Sequence, residues 1–131
     1  MMKMIIQGQV LTDNGPVDIK NLKPGDKVLN QLHRAFAVTA VQKKTVSVAY
    51  TFAKNPNLMV TKGTVIKTVY GSKKVEKLEN VFFYMAQPNA RMIKDKIQKA
   101  LGEYTAYDIQ ADGCNSIFVS NYCLELEDKN A

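Results

Sequence analysis

Hydrophobic and polar residues alternate along much of this chain, with a dominant period of two. A period of two is typical of β-strands, in which successive side chains point to opposite faces. Segments rich in β-branched and aromatic residues, which favour strands, lie at 36–42, 45–53, 64–70 and 116–120. Sequences typical of turns separate them, at 13–16, 23–26, 55–57 and 112–113. Many short strands with such turns predict an all-β domain closed on itself.

One segment, 90–101, departs from the alternation and predicts an amphipathic helix. Its apolar residues share one arc of a helical wheel and its polar residues lie opposite: Ile93, Ile97, Ala100 and Leu101 against Arg91, Lys94, Asp95 and Gln98. Asn89 is a suitable N-cap and Gly102 a suitable end. The charged face fits two interpretations, contact with phosphates or simple solvation.

Length and composition indicate one globular domain spanning residues 1–131. The chain is 46% hydrophobic and 23% charged, which excludes a disordered, collagen-like or coiled-coil protein. No apolar run approaches the roughly 18 residues needed to cross a bilayer, and the first residues do not resemble a signal peptide. Two cysteines without CxxC spacing favour reduced thiols. We therefore expect no membrane association and a cytoplasmic location.

The net charge of +6 is unevenly distributed. Residues 1–102 hold 17 Lys or Arg against 6 Asp or Glu, whereas residues 103–131 hold 1 against 6. A basic body attracts anions, and the candidate anion-binding residues are Lys43, Lys44, Lys73, Lys74, Arg91 and Lys94. Only two of the 18 cations are Arg, the residue that favours bidentate phosphate or guanine recognition. Nucleic-acid binding is therefore an alternative that we do not favour over a solvated lysine surface.

The order of turns and apolar residues between positions 8 and 29 is distinctive. A strand ends at an Asp-Asn-Gly turn, and a second short strand carries Val17 and Ile19. Leu22 precedes a tight Pro-Gly turn, after which a strand begins at Lys27. This hairpin, followed by an Ile-x-x-Leu step and Pro-Gly-Asp-x-Val, closely resembles the opening block of Hint domains. Hint domains are the module shared by inteins and hedgehog autoprocessing proteins.

Two further blocks follow in the order of the Hint family. Tyr-Asp-Ile at 107–109, Asp-Gly at 112–113 and the segment 117–124 look like the closing block. Residues 58–64 are similar to the middle block, whose Thr-x-x-His serves catalysis. The resemblance spans nearly the whole chain. It implies a pseudo-two-fold, all-β Hint-like domain, with the predicted helix inserted between the middle and closing blocks.

The catalytic positions of the family are replaced in this chain. Family members use an N-terminal Cys, Ser or Thr as nucleophile, and inteins end on an Asn that cyclises with help from a preceding His. Alignment places Lys3 at the nucleophile, and residues 1–11 contain no Cys, Ser or Thr. Thr61 is kept, but Thr64 replaces the middle-block His. Glu125 and Leu126 replace the closing His and Asn, so we expect no autoprocessing enzyme.

Four other residues are candidates for separate chemistry. His33, Cys114 and Cys123 lack the spacing of a metal site or of a Cys-His pair. Cys123 falls in a predicted strand and fits a small core residue, whereas Cys114 falls in a turn. Asp108 fits either a structural role or a relic of an acid-base group. We expect no catalytic, cofactor-binding or metal-binding residues.

These observations favour a non-catalytic Hint-fold protein that acts as a structural or binding module. Stand-alone degenerate chains of this kind resemble those of bacteriophages, which implies a virion or assembly role and, in that case, a virion-associated location. The expected partner is a protein that the sequence does not identify, and the oligomeric state is left open. The alternative function is weak binding of nucleic acid or of an anionic surface through the lysines.

Overall fold

The computed structural model describes residues 4–68, 71–78, 81–83 and 93–126. Regular structure in these ranges is almost entirely β-strand, which confirms the all-β prediction. The strands are β1 (Ile5–Gln7), β2 (Gln9–Thr12), β3 (Gly15–Asp18), β4 (Lys27–Leu29), β5 (Ala35–Ala37), β6 (Ala40–Phe52), β7 (Met59–Val60), β8 (Val65–Thr68), β9 (Gly71–Lys74), β10 (Val81–Phe83), β11 (Ile93–Asp95), β12 (Ile97–Gln110), β13 (Ser116–Val119) and β14 (Tyr122–Glu125). Two short 3₁₀ helices lie at Ile19–Asn21 and Val75–Lys77.

The strands form two sheets. Strands β1, β12, β6 and β7 pair in that order and close on themselves. The other sheet follows the order β11, β10, β8, β14, β13, β2, β4, β5, with β3 paired to β2 and β9 paired to β8. Within the described residues, no helix is long and apolar enough to span a membrane.

The predicted helix at 90–101 is wrong over the part that the structure describes. Residues 90–92 lie outside the described ranges, and the rest of the segment belongs to β11 and β12. Strand β12 pairs antiparallel with β6, from Ile97 opposite Phe52 to Gln110 opposite Ala40. Gly102, the predicted helix end, falls at an irregularity in this pairing, between Leu101 and Tyr104.

Tertiary pairing explains why the helical pattern fails. An isolated 12-residue helix is only marginally stable in water, whereas β6 offers a long partner strand that satisfies the backbone of β12. The apolar arc of the wheel is also not buried as one face, since Ile97 packs against core residues whereas Leu101 is 76% exposed. The spacing of four apolar residues therefore suggested a helix that the long-range pairing overrides.

The turn at 23–26 has the chemistry that its sequence predicts. In the Lys-Pro-Gly-Asp turn, the Asp26 amide donates to the Lys23 carbonyl at 3.1 Å, and Gly25 has φ of +96°. A positive φ at this third position is the mark of a type II turn, for which Pro and Gly are the preferred central residues. After this turn, β4 pairs antiparallel with β2, with Val28 opposite Thr12.

The main core contains residues of both sheets. It includes Val10, Phe52, Ile66, Ile117 and Tyr122, all nearly or completely buried. A smaller apolar cluster on the other side of the closed sheet contains Met4, Ile6, Ala49 and Ala106. Strand β1 contributes to both, because Ile5 belongs to the main core and its two neighbours to the small cluster. The N-terminal strand is therefore fixed on both faces.

A buried polar connection joins three distant parts of the chain. Asp95 is 1% exposed, and its Oδ1 accepts backbone N–H groups of Lys54 and Lys96, each at 2.8 Å. The hydroxyl of Tyr122 donates to Asp95 Oδ2 at 2.5 Å. Burial, with the nearby Asp95 charge and this hydrogen bond, raises the pKa of Tyr122, so the phenol keeps its proton. Bonds to a buried carboxylate are strong, and these bonds hold β11 against β14 and against Lys54, which follows β6.

Candidate functional site

The residue that begins the described chain, Met4, is held by two buried threonines. The Met4 amide N–H donates to Thr61 Oγ1 at 3.2 Å. The Met4 carbonyl accepts the Thr61 amide at 3.0 Å and the Thr64 hydroxyl at 3.2 Å. The two hydroxyl oxygens lie 3.3 Å apart. Thr61 and Thr64, which lie in the middle block, therefore bind both the N–H and the carbonyl of Met4.

A tight turn presents these two threonines to β1. The Thr64 amide donates to the Thr61 carbonyl at 3.3 Å, and Gly63 between them has φ of +87°. Gly63 also donates its amide to Glu76 Oε1 at 2.9 Å, which ties the turn to the 3₁₀ helix Val75–Lys77. A glycine is required here because other residues rarely adopt a positive φ. The turn holds both hydroxyls in fixed positions toward Met4.

Three of the four positions that the resemblance marks as replaced lie around one small crevice. Thr64, Glu125 and Leu126 line it together with Met4. The remaining wall is mostly apolar and consists of Ile5, Tyr107, Ile109, Ile117 and Leu124. The crevice has a volume of about 10 Å³, close to the minimum for one water molecule. Lys3, the fourth position, lies outside the described residues.

The closing-block residues Glu125 and Leu126 are held by neighbouring segments of the chain. Glu125 Oε1 accepts the Ser72 hydroxyl at 3.0 Å and lies 3.6 Å from Lys67 Nζ. The Glu125 carboxylate is therefore engaged by β8 and β9. Leu126 is 9% exposed and donates its amide to the Asn115 carbonyl at 3.0 Å. Its side chain has no group that can attack a peptide bond.

Both thiols are buried and protonated at neutral pH. Cys114 donates to the Ser116 carbonyl at 3.0 Å, and burial raises the pKa of its thiol. Burial raises the pKa of Cys123 to about 12. Because the thiolate is the reactive form, neither thiol is activated as a nucleophile. Cys123 packs with Phe118 in a small apolar cluster, in line with the predicted core role.

His33 and Asp108 are not brought together with the thiols as a metal site. His33 is exposed in the turn after β4, and its ring lies 5.4 Å from that of Phe118. Asp108 is buried on β12 between Tyr107 and Ile109, which both line the crevice. Successive residues of a strand face opposite sides, so Asp108 points away from the crevice. Within the described chain, no three His, Cys, Asp or Glu residues are grouped to hold a metal.

The structure distributes the predicted anion-binding residues over both sheets. Lys43 and Lys44 lie on β6, Lys73 and Lys74 on β9, and Lys94 on β11. Arg91 lies outside the described residues. Adjacent residues on a strand point to opposite faces, so each lysine pair is divided between two surfaces. Lys43 lies over the Tyr107 ring, with Nζ 5.9 Å from its centroid, a cation–π contact.

Sequence reasoning missed two features of the molecule. The Asp95–Tyr122 connection was hidden because Asp95 fell on the charged face of the predicted helix. A polar cavity was also missed. It lies between Gln7, Asn57 and Asn121, which are far apart in the sequence. Neither feature has a local sequence signal, since both depend on strand pairing between distant segments.

The fold is similar to solved structures of inteins over almost the whole chain. The gp41-1 intein superposes with a TM-score of 0.75 at 20% identity, covering 97% of this chain and 100% of that one. An intein-like domain from Clostridium thermocellum has the same TM-score of 0.75, identity of 20% and coverage of 97% and 100%. A DnaB intein from Synechocystis sp. PCC 6803 gives 0.72 at 14% identity, covering 96% and 99%.

Sequence comparisons add no further relative. No family model matches the chain, and no curated protein matches it either. The structural similarity confirms the Hint-like, intein-like fold that the opening, middle and closing blocks predict.

Proposed function

We propose that this chain, which has the fold of an intein, is a non-catalytic module of that fold. It serves as a structural or binding module, and it neither splices nor cleaves itself. The observation that carries the proposal is the hydroxyl of Thr64 at the position where the resemblance expects a histidine. That hydroxyl donates to the Met4 carbonyl at 3.2 Å.

A threonine at this position does not supply the proton transfer that peptide activation requires. General acid-base catalysis at neutral pH uses groups whose pKa lies near the working pH, most often histidine. A threonine hydroxyl does not titrate in this range. Thr61 and Thr64 are moreover engaged with each other and with Met4, an arrangement that supports anchoring of β1.

A nucleophile is also lacking at the start of the chain. The Met4 thioether has no proton to lose, and an amine such as that of Lys3 is charged at neutral pH. The conclusion is the same whether Lys3 or Met4 is aligned with the family's nucleophile, because residues 1–11 contain no Cys, Ser or Thr. The small volume of the crevice, about 10 Å³, agrees with this interpretation, since it leaves little room for a reacting group.

The carboxyl-terminal side of the crevice supports the same proposal. Leu126, at the position of the cyclising Asn, has no side-chain amide nitrogen to attack the main chain. Glu125, at the position of the assisting His, is held by Ser72 and Lys67. Without the chemical groups for cleavage at either splice junction, the chain keeps the folded scaffold and its surfaces, which suits a structural or binding role.

The test is a fusion in which the whole chain stands between two reporter domains. After purification the fusion is incubated at neutral pH with and without dithiothreitol, which cleaves thioesters, and hydroxylamine, which cleaves esters as well. A self-splicing intein between the same reporters is the control for competent flanks. We expect the fusion to stay intact under all conditions, and release or ligation of the reporters would contradict the proposal.

A further inference from the structure

A polar cavity lies between the start of β2, the β6–β7 loop and the β13–β14 turn. Its volume is about 420 Å³, within the range of about 300–1,000 Å³ typical of small-molecule sites. It is separate from the crevice at Met4, with which it shares no lining residue. The walls are built from four segments of the chain, within 7–11, 16–20, 55–57 and 120–121.

Five carboxamide side chains line this cavity, and four of them are exposed and make no hydrogen bond to the part of the chain that the structure describes. These four belong to Gln7, Gln9, Asn57 and Asn121. Each carboxamide offers two N–H donors and one carbonyl acceptor. The cavity therefore presents several donors and acceptors on one concave surface.

The frame that carries these side chains is held by hydrogen bonds. Asn55 Nδ2 donates to the Ser120 carbonyl at 2.6 Å, which joins the β6–β7 loop to the β13–β14 turn. The Ser120 amide donates to the Gln9 carbonyl at 2.8 Å, and the Gln9 amide donates to Ser120 Oγ at 3.1 Å. Gly8 packs so closely on Val119 that an added Cβ would lie 2.6 Å from its Cγ1. The cavity is thus preformed, which lowers the entropic cost of binding.

The charges around the cavity balance, unlike those of the chain as a whole. Asp18 and Lys20 are the ionisable residues of its lining, and their formal charges cancel, whereas the chain carries +6. Leu11 and Pro16 add an apolar wall. The cavity therefore combines uncharged donors and acceptors with a small apolar face.

We propose that this cavity binds an uncharged, polyhydroxylated ligand of the size of a mono- or disaccharide. A sugar hydroxyl both donates and accepts, so it pairs with a carboxamide in either direction. The C–H face of a sugar ring fits the wall formed by Leu11 and Pro16. The balanced charge disfavours a polyanion such as nucleic acid. This proposal goes beyond the loss of autoprocessing and does not depend on it.

The test uses the ¹⁵N-labelled full chain and follows the side-chain NH₂ signals of the four carboxamides by NMR. The probes are maltose, mannobiose and N,N′-diacetylchitobiose, each titrated to about 50 mM to reach weak affinities. Tetraglycine and a thymidine decanucleotide are added in parallel. We expect saturable shifts of these NH₂ signals with at least one disaccharide.

Variants test whether the shifts report this cavity. Gln9→Ala and Asn57→Ala each remove one exposed carboxamide and should weaken disaccharide binding about three- to tenfold, the effect of one lost hydrogen bond. Gln42→Ala and Gln98→Ala remove exposed carboxamides of β6 and β12 outside the cavity, and affinity should stay within about twofold. Absence of shifts with all three disaccharides, shifts with tetraglycine or the decanucleotide alone, or equal losses in the control variants would overturn the proposal.

Discussion

At the scale of single residues, Thr61 and Thr64 differ in what their hydroxyls contribute. Thr61→Val leaves the buried Met4 N–H without its acceptor, which should lower the free energy of unfolding by about 1–3 kcal/mol. Thr64→Val should cost less, about 1 kcal/mol, because the Met4 carbonyl keeps the Thr61 amide as donor. Urea unfolding of both variants measures the difference.

Thr45→Val is the matched control for this pair, because Thr45 is exposed on β6. Its unfolding free energy should stay within about 0.5 kcal/mol of the wild-type value. A larger loss for Thr64→Val than for Thr61→Val would show that the two threonines do not anchor β1 as described.

Cys123 gives the stability of the protein a dependence on alkaline pH. Burial raises the pKa of its thiol from an ordinary value of 9.0 to about 12. The unfolded chain therefore releases this proton at lower pH than the folded chain does. Stability from this group is complete below pH 9 and declines as pH rises toward 12, by up to about 1.4 kcal/mol per pH unit.

Urea unfolding between pH 8 and pH 11 tests this dependence with Cys123→Ala as the comparison. The variant should start less stable, because a packed sulfur is lost, but should decline less steeply with pH. Cys114 and Tyr122, whose pKa values burial also raises, contribute equally to both curves. Parallel curves would contradict the assignment to Cys123.

At the scale of elements, β12 carries the main correction to the sequence prediction. A helix would have placed Leu101 on its buried side, whereas the strand leaves it 76% exposed. Leu101→Lys should therefore change the free energy of unfolding by no more than about 0.5 kcal/mol. Ala106 on the same strand is fully buried, and Ala106→Leu should cost about 1–3 kcal/mol through overpacking.

Thermal or urea unfolding of the two variants tests β12 at two places, since Leu101 lies in the segment predicted to be helical and Ala106 lies beyond its end. A loss of 2 kcal/mol or more for Leu101→Lys, in the range of core substitutions, would favour the buried helical face. Tolerance of Ala106→Leu would likewise contradict the strand register, in which Ala106 lies opposite Lys44.

The strands with local signals were predictable, whereas the long pairing was not. The predicted segments 64–70 and 116–120 correspond to β8 and β13 within the described residues. The predicted segments 36–42 and 45–53 are instead divided between β5 and the continuous β6. Alternation identifies strands, but pairing between positions 45 to 70 residues apart, from Ile97 with Phe52 to Gln110 with Ala40, decides how far β6 and β12 extend.

At the scale of the whole molecule, the fold was predictable because its turns and blocks are local sequence features. Residues adjacent in the sequence predict the turn at Gly25 and distinguish the opening, middle and closing blocks. The polar cavity was not predictable, because its carboxamides come from β1, β2 and two distant loops. The positive net charge suggested an anion-binding surface, but composition does not show that the candidate lysines are distributed over both sheets.

The molecule as a whole has an intein-like fold in which Thr61 and Thr64 hold the backbone of Met4, just before β1. Residues that the resemblance assigns to the middle and closing blocks, Thr64, Glu125 and Leu126, meet around Met4. We propose that the chain does not cleave itself, and this is the claim to test first.

The most direct test of this central claim is the intact mass of the chain between two reporter domains, followed over several days at neutral pH. The control fusion with a self-splicing intein should lose its starting mass and give ligated reporters. We expect a single species at the full fusion mass, unchanged by dithiothreitol or hydroxylamine. Ligated reporters, or fragments cut at either end of the chain, would contradict the account.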